Sequence, residues 1–121
     1  MAFAHEKMPV YKLALDFMRL AHDVANGLAG HGNLKDQLLR AASSIVLNLA
    51  EGAGKYAPKD KRRYYRSFVG SAAECSAILD VLLQMSLLDE ERTKKGKDVL
   101  DHIAAMGTNL IRSLPCGDDD V

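Results

Sequence analysis

From Pro58 to about Met85 the chain runs for one long stretch without a second proline, interrupted by a single glycine, Gly70. At about 1.5 Å per residue such a stretch, if helical, is a rod of roughly 40 Å. Its apolar residues are Tyr64, Tyr65, Phe68, Val69, Ala72, Cys75, Ile78, Leu79, Leu82, Leu83 and Met85. At about 100° per residue they cover an arc of roughly 200°, where a helix with one dry side needs a stripe of roughly 100°. A helix this wide must be covered from more than one direction, so the rest of the chain is expected to supply helices that pack on it.

Three further segments have that character. Val10, Leu13, Ala14, Phe17, Leu20, Ala21, Val24, Ala25 and Leu28 follow one helical face, with Pro9 suited to a first helical position and Lys12, Asp16, Arg19 and Asp23 on the other side. Leu34, Leu38, Ala41, Ala42, Ile45 and Leu49 form a second inner face, preceded by Asn33 as an N-cap. Leu39, Val46 and Leu47 fall outside that face and widen it. Asp89 is expected to cap a fourth helix, with Glu90 to Lys94 and Glu91 to Lys95 as i,i+4 pairs, and Val99, Leu100, Ile103, Met106, Leu110 and Leu114 facing inward. The expected helices are 9–27, 33–51, 58–86 and 89–113, with an acidic tail over 114–121 that is expected to be frayed. Short connections make an all-α, up-down-up-down four-helix bundle, and the excess apolar surface predicts a homo-oligomer.

A chain of 121 residues fits one domain that can bury a core without disulfides or a structural metal. Cys75 lies among apolar residues and Cys116 beside Pro115 and Gly117, so a disulfide is not expected and a reducing compartment is. The N-terminus has no uninterrupted apolar leader, and no run approaches the ~18 apolar residues of a membrane span. The expectation is a cytoplasmic protein without a membrane role.

The strongest chemical signal is the segment Lys55-Tyr-Ala-Pro-Lys-Asp-Lys-Arg-Arg-Tyr-Tyr-Arg66, six cations against one anion, a local charge of +5 in a chain whose total is +0. Lys55, Lys59, Lys61, Arg62, Arg63 and Arg66 are interleaved with Tyr56, a mixture that can pair phosphates and stack bases. Tyr64 and Tyr65 lie on the apolar arc and are expected in the core. Arg40, one helix earlier, is a possible addition to the set. Cations at a helix N-terminus oppose its dipole, which favours a functional reason for them.

Catalytic chemistry finds little support. The four histidines are scattered and no Glu-x-x-His occurs, so no metal and no cofactor is expected. Cys75, beside Glu74 among apolar neighbours, is set to have a raised thiol pKa rather than a reactive one. Gly52-Ala-Gly-Lys55 lacks the spacing of a phosphate loop and the Ser/Thr that comes after its lysine. The chain is expected not to be an enzyme.

Leu39-Arg-Ala-Ala-Ser-Ser-Ile-Val-Leu-Asn-Leu-Ala-Glu-Gly52, together with Arg66-Ser-Phe-Val-Gly-Ser-Ala-Ala-Glu74, resembles the four-helix-bundle proteins encoded in intervening sequences of bacterial large-subunit ribosomal RNA genes. Related proteins are accessory factors of diversity-generating retroelements. The resemblance runs from about Val10 to Leu88. It implies a bundle that assembles into a ring, commonly a pentamer, with a basic surface suited to nucleic acid and no enzymatic activity; in the retroelement relatives the ring also contacts a reverse transcriptase. Val46 stands where many members have proline, and Tyr11 where tryptophan is usual. Asn48, Glu51, Gly52, Gly70, Ser71 and Glu74 fall on recurring small or polar positions. Their expected role is structural: Glu51 and Gly52 at the end of the second helix, Asn48 and Glu74 in an internal polar network, and Gly70 at a close approach of another backbone, since a mid-helix glycine costs up to ~1 kcal/mol.

The expectation is therefore a homo-oligomer that binds structured RNA or single-stranded nucleic acid through Lys55 to Arg66. The alternative is a protein-binding scaffold for a partner enzyme such as a reverse transcriptase.

Overall fold

The structure, a computed structural model, describes residues 2–115. It contains four α-helices, α1 (Pro9–Asn26), α2 (Gly32–Gly54), α3 (Pro58–Gln84) and α4 (Glu90–Arg112), preceded by a 3-10 turn at Ala4–Lys7. No strand occurs among the described residues. Most of the expected acidic tail, positions 116–121, lies outside the described residues.

The local chemistry that starts and stops each helix is visible. Pro9 and Pro58 occupy first positions, where the missing N–H removes nothing. At α4 the Asp89 carboxylate accepts the Arg92 backbone N–H at 2.7 Å and its Nε at 2.8 Å. Those contacts, the backbone one first, hold the Asp89 carboxyl below its usual pKa. α3 ends in a Schellman arrangement: Leu87 N–H donates to Leu82 C=O at 2.9 Å, Ser86 N–H to Leu83 C=O at 3.0 Å, and Ser86 takes a left-handed φ of 59°.

Two boundaries differ from the sequence expectation. α2 starts at Gly32 with His31 as an N-cap that makes no side-chain cap bond, so Asn33 lies inside the helix. α2 also continues through Gly52 to Gly54. Gly52 has no positive φ, so it does not stop the helix; it is buried against α3, where a side chain would not fit. In α4 the lysine pairs are redistributed. Lys94 binds Asp98 at 2.8 Å instead of Glu90, and that hydrogen bond and charge raise its pKa.

Connections of five, three and five residues leave consecutive helices no room except side by side. Each helix packs on the next, α2 on α3 most extensively, and α4 returns to α1 through the thinnest of the four contacts. One core runs through all four: Val10, Phe17 and Leu28 from α1 and its exit, Leu38, Ile45 and Leu49 from α2, Phe68, Leu79 and Leu82 from α3, Leu100 and Ile103 from α4. α4 comes close because it is small where it meets its neighbours. A Cβ on Gly107 would lie 2.6 Å from Phe68 Cε2 and 2.7 Å from Val69 Cγ2, and one on Gly96 2.7 Å from Leu79 Cδ1.

The close approach expected at Gly70 is not present within the chain. Gly70 is exposed, and a Cβ there would meet nothing within 4 Å. It lies on an outer face of α3 with Ala73, Ala77 and the half-exposed Val81, while Leu47 on α2 is 62% exposed. α3 also has a stretch long and apolar enough by composition to cross a bilayer, a property shared by helices that pack on two neighbours, as α3 does on α2 and α4.

Candidate nucleic-acid interface

The three-residue connection between α2 and α3 brings the C-terminus of one helix and the N-terminus of the next to the same end of the molecule, where the six cations of Lys55 to Arg66 gather. They do not share one role. Lys61, half-buried, donates from Nζ to the carbonyls of Gly52 at 3.2 Å and Ala53 at 3.0 Å. It therefore satisfies orphan carbonyls at the end of α2 and sets a positive charge against the negative end of that helix dipole. The placement looks unfavourable for α3 taken alone; it answers α2.

Arg62, read from sequence as a phosphate ligand, is only 7% exposed, and its Nη2 donates to the Pro115 carbonyl at 2.8 Å. It ties the end of the described chain to the start of α3. An arginine so placed on the inner side of α3, three residues before Tyr65 and six before Phe68, is removed from solution, so Arg62 is corrected from a binding to a structural residue.

The outward cations are the exposed Lys59, Arg63 and Arg66, joined by the half-exposed Lys55. Lys55 is partly drawn off by Glu51, 3.6 Å away, with both side chains substantially in solvent. Such an exposed pair contributes little to stability. Lys55 Nζ and the Arg63 guanidinium stand 5.3 and 4.9 Å from the centroid of the Tyr64 ring. Tyr64 thus braces two cations and is only half-buried, whereas Tyr65 is in the core. The sequence reading placed both tyrosines in the core; the 100° between neighbours on a helix was the signal that they could not share one face. Tyr56, in the connection itself, is 98% exposed.

Gly52 explains how this end is held. A Cβ there would lie 2.8 Å from both Tyr65 Cδ1 and Cε1 and 3.1 Å from Tyr64 Cβ. The absent side chain lets α2 seat on the two tyrosines, and through Tyr64 it positions Lys55 and Arg63. Arg40 does not join the set: it is exposed but lies fourteen residues before Gly54, roughly 21 Å along α2 at 1.5 Å per residue.

The polar positions divide likewise. Asn48 Nδ2 donates to the Ser44 carbonyl at 2.9 Å and to Ser44 Oγ at 2.8 Å, and Ser44 Oγ lies 2.8 Å from Ser71 Oγ. This small network pins α2 to α3, with Ser44, a residue the sequence reading did not single out, as its hub. Glu74, expected within the network, is exposed instead. Burial, foremost, and the Glu74 charge push the Cys75 thiol up to about 12, which makes it inert. Among the described residues no three His, Cys, Asp or Glu side chains converge to hold a metal.

No curated protein is significantly similar in sequence. The crystal structure of a protein of unknown function from the S23 ribosomal protein family of Bacteroides thetaiotaomicron is similar in fold, with a TM-score of 0.79 at 18% identity over 86% of this chain and 99% of that one. The family model described as 23S rRNA-intervening sequence protein matches residues 6–109. With most of its four helices inside that match, the chain belongs to the family of 23S rRNA-intervening sequence proteins.

Proposed function

We propose that this protein is a non-enzymatic, cytoplasmic homo-oligomer that binds structured RNA or single-stranded nucleic acid through the α2–α3 end. The observation that carries the reading is the exposure of Lys59, Arg63 and Arg66 on one side of α3, with the half-exposed Lys55 and with Tyr56, which is 98% exposed. Cations spaced along one helix end engage neighbouring phosphates, and an unpacked tyrosine offers a stacking face to an unpaired base. Repeating that end around a ring, pentameric as the resemblance implies, multiplies affinity through simultaneous engagement. The outer face of α3 bearing Gly70 and Val81 supports self-association, because it is apolar, small and uncovered in the single chain, and Leu47 on α2 adds a further exposed apolar side chain.

A second reading draws on that same face: a scaffold that recruits a partner enzyme such as a reverse transcriptase. Binding of a hairpin RNA and of single-stranded DNA by the purified protein separates the two, with particle mass measured alongside. Submicromolar RNA binding at low salt that is lost in Arg63→Glu/Arg66→Glu, at unchanged mass and helicity, supports the nucleic-acid reading. Absence of binding to either nucleic acid at low salt removes it and leaves the scaffold.

A further inference from the structure

The 3-10 turn before α1 supports a row of aromatic rings that ends in one the core does not use. Phe3, directly before Ala4–Lys7, is 72% exposed. Its backbone is nevertheless fixed: the Phe3 N–H donates to Glu6 Oε2 at 3.0 Å, and the Glu6 N–H donates back to the Phe3 carbonyl at 3.1 Å. The Phe3 ring lies nearly parallel to the His5 ring, at 13° with 6.0 Å between centroids, and His5 meets the Tyr11 ring edge-on at 4.7 Å. Both are favourable arrangements of ring pairs. His5 and Tyr11 are half-buried, so the row is anchored on α1 and points outward at Phe3.

The turn stands at the basic end of the bundle. α1 and α2 are antiparallel neighbours joined at the opposite end, and the turn packs on α2 as well as on α1. At about 1.5 Å per residue α1 is roughly 27 Å long and α2 roughly 35 Å. What precedes Pro9 therefore lies beside the last turns of α2, from which Lys55 and Tyr56 issue.

We propose that the outward face of Phe3 stacks an unpaired nucleobase, a second stacking point at the end that carries Tyr56. The inference rests on the nucleic-acid reading and narrows its ligand to a single strand or an unpaired loop, because in a continuous duplex the flat faces of the bases are already occupied by one another. His5 backs the Phe3 ring, so an arriving base extends a stack that exists, and the fixed backbone leaves little to order on binding. Stacking needs neither charge nor a particular base edge. The contribution of Phe3 is therefore tolerant of sequence and independent of ion release, unlike that of Arg63 and Arg66.

The test uses the absence of tryptophan from the chain, which makes Phe3→Trp a single fluorescent reporter at the site. The probes are oligo(U) and a blunt RNA duplex of equal length. Oligo(U) should quench Phe3→Trp saturably and the duplex should not. Phe3→Ala should lose roughly 5- to 150-fold in oligo(U) affinity, the range that one base–aromatic stack contributes. Its plot of log affinity against log salt should run parallel to the native line, at unchanged particle mass and helicity. Equal oligo(U) affinity of Phe3→Ala and the native protein overturns the stacking and leaves the reading of the α2–α3 end intact, as does native binding of a hairpin RNA without binding of oligo(U). A changed particle mass in Phe3→Ala assigns the ring to a contact between copies and likewise overturns the stacking. Failure of the native protein to bind either RNA overturns the nucleic-acid reading together with this inference.

Discussion

Two glycine-to-alanine substitutions separate helix propensity from packing. In a helix interior alanine is favoured over glycine by about 0.5–1 kcal/mol. At Gly70 a Cβ meets nothing within 4 Å inside the chain, so in the dissociated chain Gly70→Ala should realise that gain. At Gly107 the Cβ would lie 2.6 Å from Phe68 Cε2 and 2.7 Å from Val69 Cγ2. The Phe68 side chain is completely buried between helices and has nowhere to swing, so relief must come from moving α4 off α3. Overpacking of this kind costs about 1–3 kcal/mol, which outweighs the propensity gain and leaves a net loss of roughly 0.5–2 kcal/mol. Urea denaturation at a fixed protein concentration low enough to keep the chain dissociated reads both. With a slope of roughly 1.5 kcal/mol per molar, the midpoint should rise by about 0.3–0.7 M for Gly70→Ala and fall by about 0.3–1.3 M for Gly107→Ala. A Gly107→Ala protein as stable as Gly70→Ala would refute the claim that α4 is seated on α3 by that missing side chain.

Three further outcomes are expected. Lys61→Met should lose about 1 kcal/mol of stability by uncapping the α2 carbonyls, yet keep RNA affinity within about threefold; an affinity loss as large as that of Arg66→Met contradicts its structural assignment. Asp89→Ala should lower the melting temperature at pH 7. A depressed carboxyl stabilises above its unfolded pKa and loses that contribution as pH falls through the folded value, so the gap between native and variant should close below about pH 4; a constant gap down to about pH 2 counts against the cap. Cys75 in a Cys116→Ser chain should react with a disulfide reagent at about pH 8 only as fast as the protein unfolds, because its thiol is buried and pushed up to about 12; rapid reaction of the folded protein contradicts that burial.

The helices were legible because their signals are local. Pro9, Pro58 and Asp89 each act on the first turn of their own helix, and the periodic faces of Val10 to Leu28 and Leu38 to Leu49 needed only the helical repeat of about 3.6 residues. The site was less legible because its cations are sorted by partners distant in sequence. Nothing near Arg62 announces that Pro115, fifty-three residues on, will take its guanidinium, and Lys61 serves carbonyls on another helix. Gly52 and Gly70 look alike in sequence as glycines in helical context, but of the two only Gly52 would meet a neighbour within the chain. Ser44 was missed for the same reason: its hydroxyl has value only once Ser71 stands opposite.

The central claim is that the outward cations, not the full set of six, contact phosphate. The salt dependence of hairpin RNA affinity tests it most directly, measured for the native protein, for Arg63→Gln/Arg66→Gln and for Lys61→Met. Each phosphate contact contributes about 0.7–0.9 to the slope of log affinity against log salt. The double variant should therefore show a slope shallower by about 1.4–1.8 per engaged subunit, while Lys61→Met should run parallel to the native line. Parallel lines for the double variant, or a shallower one for Lys61→Met, would contradict the assignment.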